Sequence, residues 1–166
     1  GADIYVSIHY NAIDGSFDGN DPEGLSVHVY PGSAKGKKLA ECVIKYLRQG
    51  TAQKCRGIIE SNFHVLRETK MPAILSENGF MDNKREALLM LNEDFQREVA
   101  REHAEGICEY FGVKYVPAVA DEYETALQTM TDFAGIDTAY WRGRRNIDPY
   151  FEPLMIKIAA AIGKEG

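Results

Sequence analysis

The hydrophobic pattern changes period along the chain, and that change limits the fold more than any other feature. Residues 3–10 alternate, with Ile4, Val6 and Ile8 on one face and Tyr5, Ser7 and His9 on the other. This is a strand rich in β-branched side chains. Residues 25–30 alternate again and stop at Pro31-Gly32. Ser33 then caps a helix through about Gln49, with Leu39, Val43, Tyr46 and Leu47 at helical spacing and Lys35, Lys38, Glu41, Lys45 and Arg48 outside. Residues 50–62 read as polar and turn-like. Two short apolar runs follow, 63–66 and 72–76, the second ahead of Gly79. It reads as a buried strand, because strand and helix keep alternating. Asn83 opens a short helix to Leu91, and a longer one runs over 92–111 to Gly112, with Phe95, Val99, Ile107 and Phe111 as its apolar stripe. The predicted class is α/β, a mostly parallel sheet flanked by helices.

Past this region, 115–120 (Tyr-Val-Pro-Ala-Val-Ala) reads as a linker, since proline forbids helix continuation and no alternation follows. Residues 121–133 and 151–162 read as two helices around a turn-rich centre. The expected organisation is therefore 1–114, a linker at 115–120, and a small helical module at 121–166.

Composition narrows the partners. Hydrophobic residues are 45% and charged residues 27% of the chain, a globular balance. A formal charge of −6 argues against nucleic acid or an anionic membrane as the main partner, because these need a basic field. No run is long and apolar enough to span a bilayer. Cys42, Cys55 and Cys108 are odd in number and widely spaced, so no disulfide framework is expected. The opening Gly1-Ala2-Asp3 runs straight into a strand without a basic segment, so no signal peptide is expected and the chain is expected to begin inside a domain. Nothing in the pattern speaks to oligomeric state.

In open α/β sheets, ligands gather beyond the carboxyl ends of strands. Two predicted strands end in reactive groups, one in Ser7-Ile8-His9-Tyr10-Asn11 and the other in Leu75-Ser76-Glu77-Asn78-Gly79-Phe80. A histidine beside a carboxylate suits a metal ligand next to a general base. On spacing alone, a hydrogen-bonded structural histidine is the better reading of His9.

The runs themselves say more. Residues 2–12 (Ala-Asp-Ile-Tyr-Val-Ser-Ile-His-Tyr-Asn-Ala) resemble the segment that carries a zinc-ligand histidine in the zinc-dependent N-acetylmuramoyl-L-alanine amidases. Residues 62–83, from Asn62-Phe63-His64 through Pro72 to Glu77-Asn78-Gly79-Phe80-Met81-Asp82-Asn83, resemble the closing motif of that family, including its catalytic glutamate. The resemblance covers roughly residues 1–113, the C-terminal part of the catalytic domain. It implies peptidoglycan as partner and Zn2+ as cofactor, with His9 as a zinc ligand and Glu77 as general acid/base. The bond cut would be the amide joining the lactyl group of muramic acid to L-alanine. It also implies action on the cell wall after synthesis in the cytoplasm, as in a phage endolysin.

One departure matters. The family's other two metal ligands, a histidine and a glutamate, fall before the position of Gly1, so the chain by itself is expected to hold zinc weakly and to be inactive alone. That leaves a second reading, a non-catalytic cell-wall-binding remnant of the same fold. A third is a different metallohydrolase using His9 and His28. Asn11 is expected to orient the loop after His9, with a hydrogen bond to the ligand from behind as the alternative, and Arg67 to answer a substrate carboxylate or pair with Glu68 or another nearby carboxylate. Tyr10 and Phe80 either line a glycan groove or pack. His103, four residues from both Val99 and Ile107, reads as a core-edge histidine. The acidic loop with Asp14, Asp18 and Asp21 lacks the terminal glutamate of an EF-hand and reads as solvated. The tail around Trp141, with Arg142, Arg144 and Arg145, is similar to a small helical unit at the ends of some phage lysins, a likeness that implies wall targeting.

Overall fold

The structure is a computed structural model and describes residues 1–17, 19, 22–117, 122–135 and 156–160. It divides into two units, Gly1–Tyr115 and Val116–Gly166.

The first unit is a four-stranded sheet in the order β1-β4-β2-β3, with β1 Tyr5–Asn11, β2 Leu25–Val29, β3 Cys55–Glu60 and β4 Ala73–Phe80. Strands β1 and β4 pair in parallel, as do β2 and β3, while β2 and β4 run antiparallel. Two of the three pairings are thus parallel. Helix α1 (Ala34–Gly50) makes the crossover from β2 to β3, the connection a parallel pair requires. Its N-cap is Ser33, whose Oγ accepts from the Gly36 amide.

Leu25, Val27, Val29 and Ile74 point to one face of the sheet and pack on Leu39, Val43 and Leu47 of α1 and on Phe95 and Val99 of α4 (Glu93–Phe111). Each such side chain, fully buried, contributes about 1.5–3 kcal/mol. The two helices lie close because Gly106 allows it: a Cβ there would stand 2.5 Å from the Val43 Cα. A smaller cluster on the other face joins Leu66 of the short helix α2 (His64–Arg67) to Ala73 and Leu75, with Tyr5, Tyr30 and Val65 at its edge. Helix α3 (Lys84–Met90) follows β4, capped by Asn83.

Two expectations change. Strand β3 lies within the segment read as turn-like, and its half-exposed backbone explains the misreading. Cys55, Arg56 and Glu60 are exposed and Gly57 has no side chain, so an edge strand carries little apolar alternation. In α4, Phe111 is 48% exposed, and Glu102, His103 and Gly106 are buried on the inward face.

In the second unit, α5 spans Glu122–Ala134 and residues 156–160 are helical. Ala126, Leu127 and Ala159 are buried. The predicted turn-rich centre, Trp141 and its neighbouring arginines lie outside the described residues, as do Asp18 and Asp21.

Candidate active site

Strands β1 and β4 leave the sheet side by side, and their register sets the site. His9 is the pairing partner of Glu77, and Glu77 in turn pairs with Ser26 on β2. Neighbouring strands lie about 4.8 Å apart and paired residues project to the same side. His9, Glu77 and Ser26 therefore form a row across three strands. The face is the one opposite α1 and α4, and it is open at this end.

His9 at the edge of the row and Glu77 at its centre are differently placed. The His9 side chain is exposed, with Nε2 hydrogen-bonded to Ser7 Oγ at 2.9 Å. Glu77 is only 9% exposed, and its Oε2 has no hydrogen-bond partner. Loss of water pushes its carboxyl up to about 7. A carboxyl that half-titrates near neutrality can take a proton and return it in the same cycle.

The end of β4 is held by charge buried beneath it. Glu86, fully buried on α3, accepts through Oε1 from the Gly24 amide and Gln53 Nε2, each at 2.9 Å, and through Oε2 from the Phe80 amide at 2.9 Å. Gly79 makes this possible with a φ of +119°, and a Cβ there would lie 2.6 Å from Gln53 Nε2. One carboxylate so ties together the starts of β2 and β3 and the end of β4. Asp82 does similar work for the loop after β1. Its Oδ2 accepts from the amides of Ile13, Asp14 and Gly15. The Ile13 amide above all holds this carboxyl below the usual carboxylate range. Neither anchor is visible as such in the sequence; the only signal was their acidic character close behind Gly79.

Other predicted residues are placed less centrally. Asn11 Oδ1 accepts from the Ala12 amide at 2.8 Å, so its side chain turns the following loop. Arg67 sits on α2, beside the start of β4 and not its carboxyl end, and bonds Glu68, Asn62 and His64. Phe80 is buried under the Arg56 guanidinium, and Tyr10 packs on the core. Both aromatics pack. His28 lies on the site face but its two ring nitrogens engage Ser26 Oγ (3.0 Å) and Ser61 Oγ (2.7 Å). Burial and the nearby Arg56 charge lower its pKa. Among the described residues, no three His, Cys, Asp or Glu side chains gather as a metal site would require. In residue type, His9 and Glu77 are suited to the roles of one metal ligand and a general base.

A family model described as N-acetylmuramoyl-L-alanine amidase matches residues 1–109. The amidase CwlM of Bacillus licheniformis is 37% identical over 114 residues, and the endolysin of Bacillus phage SPP1 38% over 120; each match covers 68% of this chain and 42% of the relative. Among solved structures, the catalytic domain of CwlV from Bacillus (Paenibacillus) polymyxa aligns with a TM-score of 0.61 at 38% identity, covering 68% of this chain and 60% of that one. An N-acetylmuramoyl-L-alanine amidase from Clostridium difficile 630 aligns with a TM-score of 0.62 at 36% identity, covering 69% and 60%. This chain thus spans less than half the length of those two curated relatives. On these matches, it belongs to the N-acetylmuramoyl-L-alanine amidase family.

Proposed function

We propose that the Gly1–Tyr115 unit supplies the base-bearing half of a peptidoglycan amidase centre, in which Glu77 is the general acid/base and His9 one zinc ligand. The observation that carries this reading is the pairing of His9 with Glu77 at the open ends of two parallel strands. The Glu77 oxygen that lacks a partner supports it, because a buried orphan acceptor is costly unless something else occupies its reach. Zinc, when bound, lowers the pKa of a coordinated water to about 7 and polarises a carbonyl.

The chain's own residues do the rest. Glu77 accepts a proton from the attacking water and delivers it to the departing amine. Burial raises its pKa enough for both steps near neutral pH. His9, exposed at the strand end, offers an imidazole toward the same face. The substrate is the amide between the lactyl group of muramic acid and L-alanine, and the setting is the cell wall. Among the described residues no third His, Cys, Asp or Glu joins these two, so this reading takes the remaining ligands from elsewhere.

The test is a chain extended at its N-terminus to the domain length of its relatives. There Glu77→Gln should keep zinc and lose at least about a hundredfold in muropeptide hydrolysis. Loss of zinc in a folded Glu77→Gln protein would instead make Glu77 a ligand and sink this assignment.

A further inference from the structure

Beneath the site, on the helix-covered face, a buried polar chain runs from α4 to the backbone of His9. His103, 2% exposed, bonds the Val99 carbonyl through Nδ1 at 2.7 Å and Ser76 Oγ through Nε2 at 2.8 Å. A carbonyl can only accept, so Nδ1 carries the proton and Nε2 is the acceptor. The Ser76 hydroxyl must then donate to His103. Its lone pairs face Asn78 Nδ2 at 3.2 Å. The same Nδ2 donates to the His9 carbonyl at 3.1 Å. Because that carbonyl also only accepts, the orientation of the Asn78 carboxamide is fixed. Burial lowers the pKa of His103, which keeps the ring in the neutral form the chain requires.

The position of this chain gives it a task. The β1–β4 ladder is regular from Tyr5 to His9, then shifts register before Asn11, which pairs with Phe80. The irregularity falls directly after His9. A bulge leaves backbone groups without ladder partners and re-aims neighbouring side chains. At this irregularity Asn78 supplies a side-chain donor to the His9 carbonyl. Asn78 is 1% exposed and its Oδ1 has no partner, so the carboxamide is buried for its two donated bonds alone.

We propose that Asn78, backed by Ser76 and His103, is a positioning residue that sets the backbone of His9 and so aims its imidazole at the row shared with Glu77. The importance of that aim rests on the amidase reading, but the geometry does not, and it can be tested without metal or substrate. Nuclear magnetic resonance of the full chain reads it directly. The Asn78 side-chain protons should exchange at least about tenfold more slowly than those of a free carboxamide. In Asn78→Leu the His9 carbonyl and imidazole signals should both move, while those of Tyr5 and Val6 stay. Ser76→Ala, which keeps the Asn78 donor but removes its backing, should move the same His9 signals less. Asn78 protons that exchange at the free rate would overturn the proposal. So would unmoved His9 signals in folded Asn78→Leu, the mark of a merely structural side chain. If Asn78→Leu does not fold, the exchange rate in the unaltered chain and the His9 signals in Ser76→Ala decide the matter alone. Loss of hydrolysis in Glu77→Gln bears on the amidase reading and leaves this result untouched.

Discussion

The two faces of the sheet solve the same problem in opposite ways. On the helix-covered face, Ser76 and His103 are buried with their polar atoms partnered, and Asn78 donates two bonds while its Oδ1 stays without a partner. On the open face, Glu77 is nearly as buried, yet one of its oxygens has no partner and its carboxyl is pushed up to about 7. A fold satisfies the polar groups it needs for itself. An ionisable group with a raised pKa beside an exposed histidine, and not an unpartnered oxygen alone, is where chemistry is to be sought. What differs between the faces is therefore not burial but what burial is used for.

The sharpest way to break this contrast is to damage each face and compare. Leu39→Ala, at a fully buried position of α1, should cost about 3 kcal/mol of stability, read by urea unfolding. Glu77→Gln in the same chain should cost nothing at pH 8 and even stabilise, because it removes a carboxylate that burial disfavours. A large loss of stability in Glu77→Gln would mean that the open face also serves the fold.

A smaller effect comes from a carboxyl on the covered side that breaks the pattern. Glu102 is 1% exposed, lies against Gly50 at the end of α1, and has no hydrogen bond of normal geometry. Desolvation, then the Glu98 charge, raises its pKa to about 7. Its folded pKa lies above the unfolded value of about 4.3, so the folded state binds the extra proton between those limits. Stability is then full below about pH 4.3 on this account and falls as pH rises through 7. The loss is on the order of 1–3 kcal/mol. Glu102→Gln should remove that part of the slope, raising the unfolding midpoint at pH 8 and changing it little at pH 5. Glu77 contributes a slope of the same sign, so the clean reading is the difference between the Glu102→Gln profile and that of the unaltered chain. Parallel profiles would show that Glu102 is not charged at a cost.

Much of this was legible in the sequence because it rests on local pattern. Strands β1, β2 and β4, the helices α1 and α4 and the Ser33 cap follow from period and capping chemistry. His9 and Glu77 stood out at strand ends within long motifs. What was illegible depends on pairing. Strand β3 hides because it lies at an edge and carries Gly57, Arg56 and Glu60. That His9 and Glu77 share one row is a matter of register, which no single strand reveals. Glu86, Asp82 and Asn78 look like ordinary surface residues until the fold closes over them. His103 read as a core-edge histidine, and the structure buries it against a serine 27 positions away.

In the proposed reading His9 is one zinc ligand and Glu77 the base, with the other ligands lying outside the described residues. Zinc calorimetry near neutral pH, run on this chain and on one extended at its N-terminus to the domain length of its relatives, decides this. The account predicts no submicromolar binding by the chain alone, and tight one-to-one binding by the extended chain that His9→Ala abolishes. Submicromolar, stoichiometric binding by the chain alone, or tight binding by the extended chain that survives His9→Ala, would contradict it.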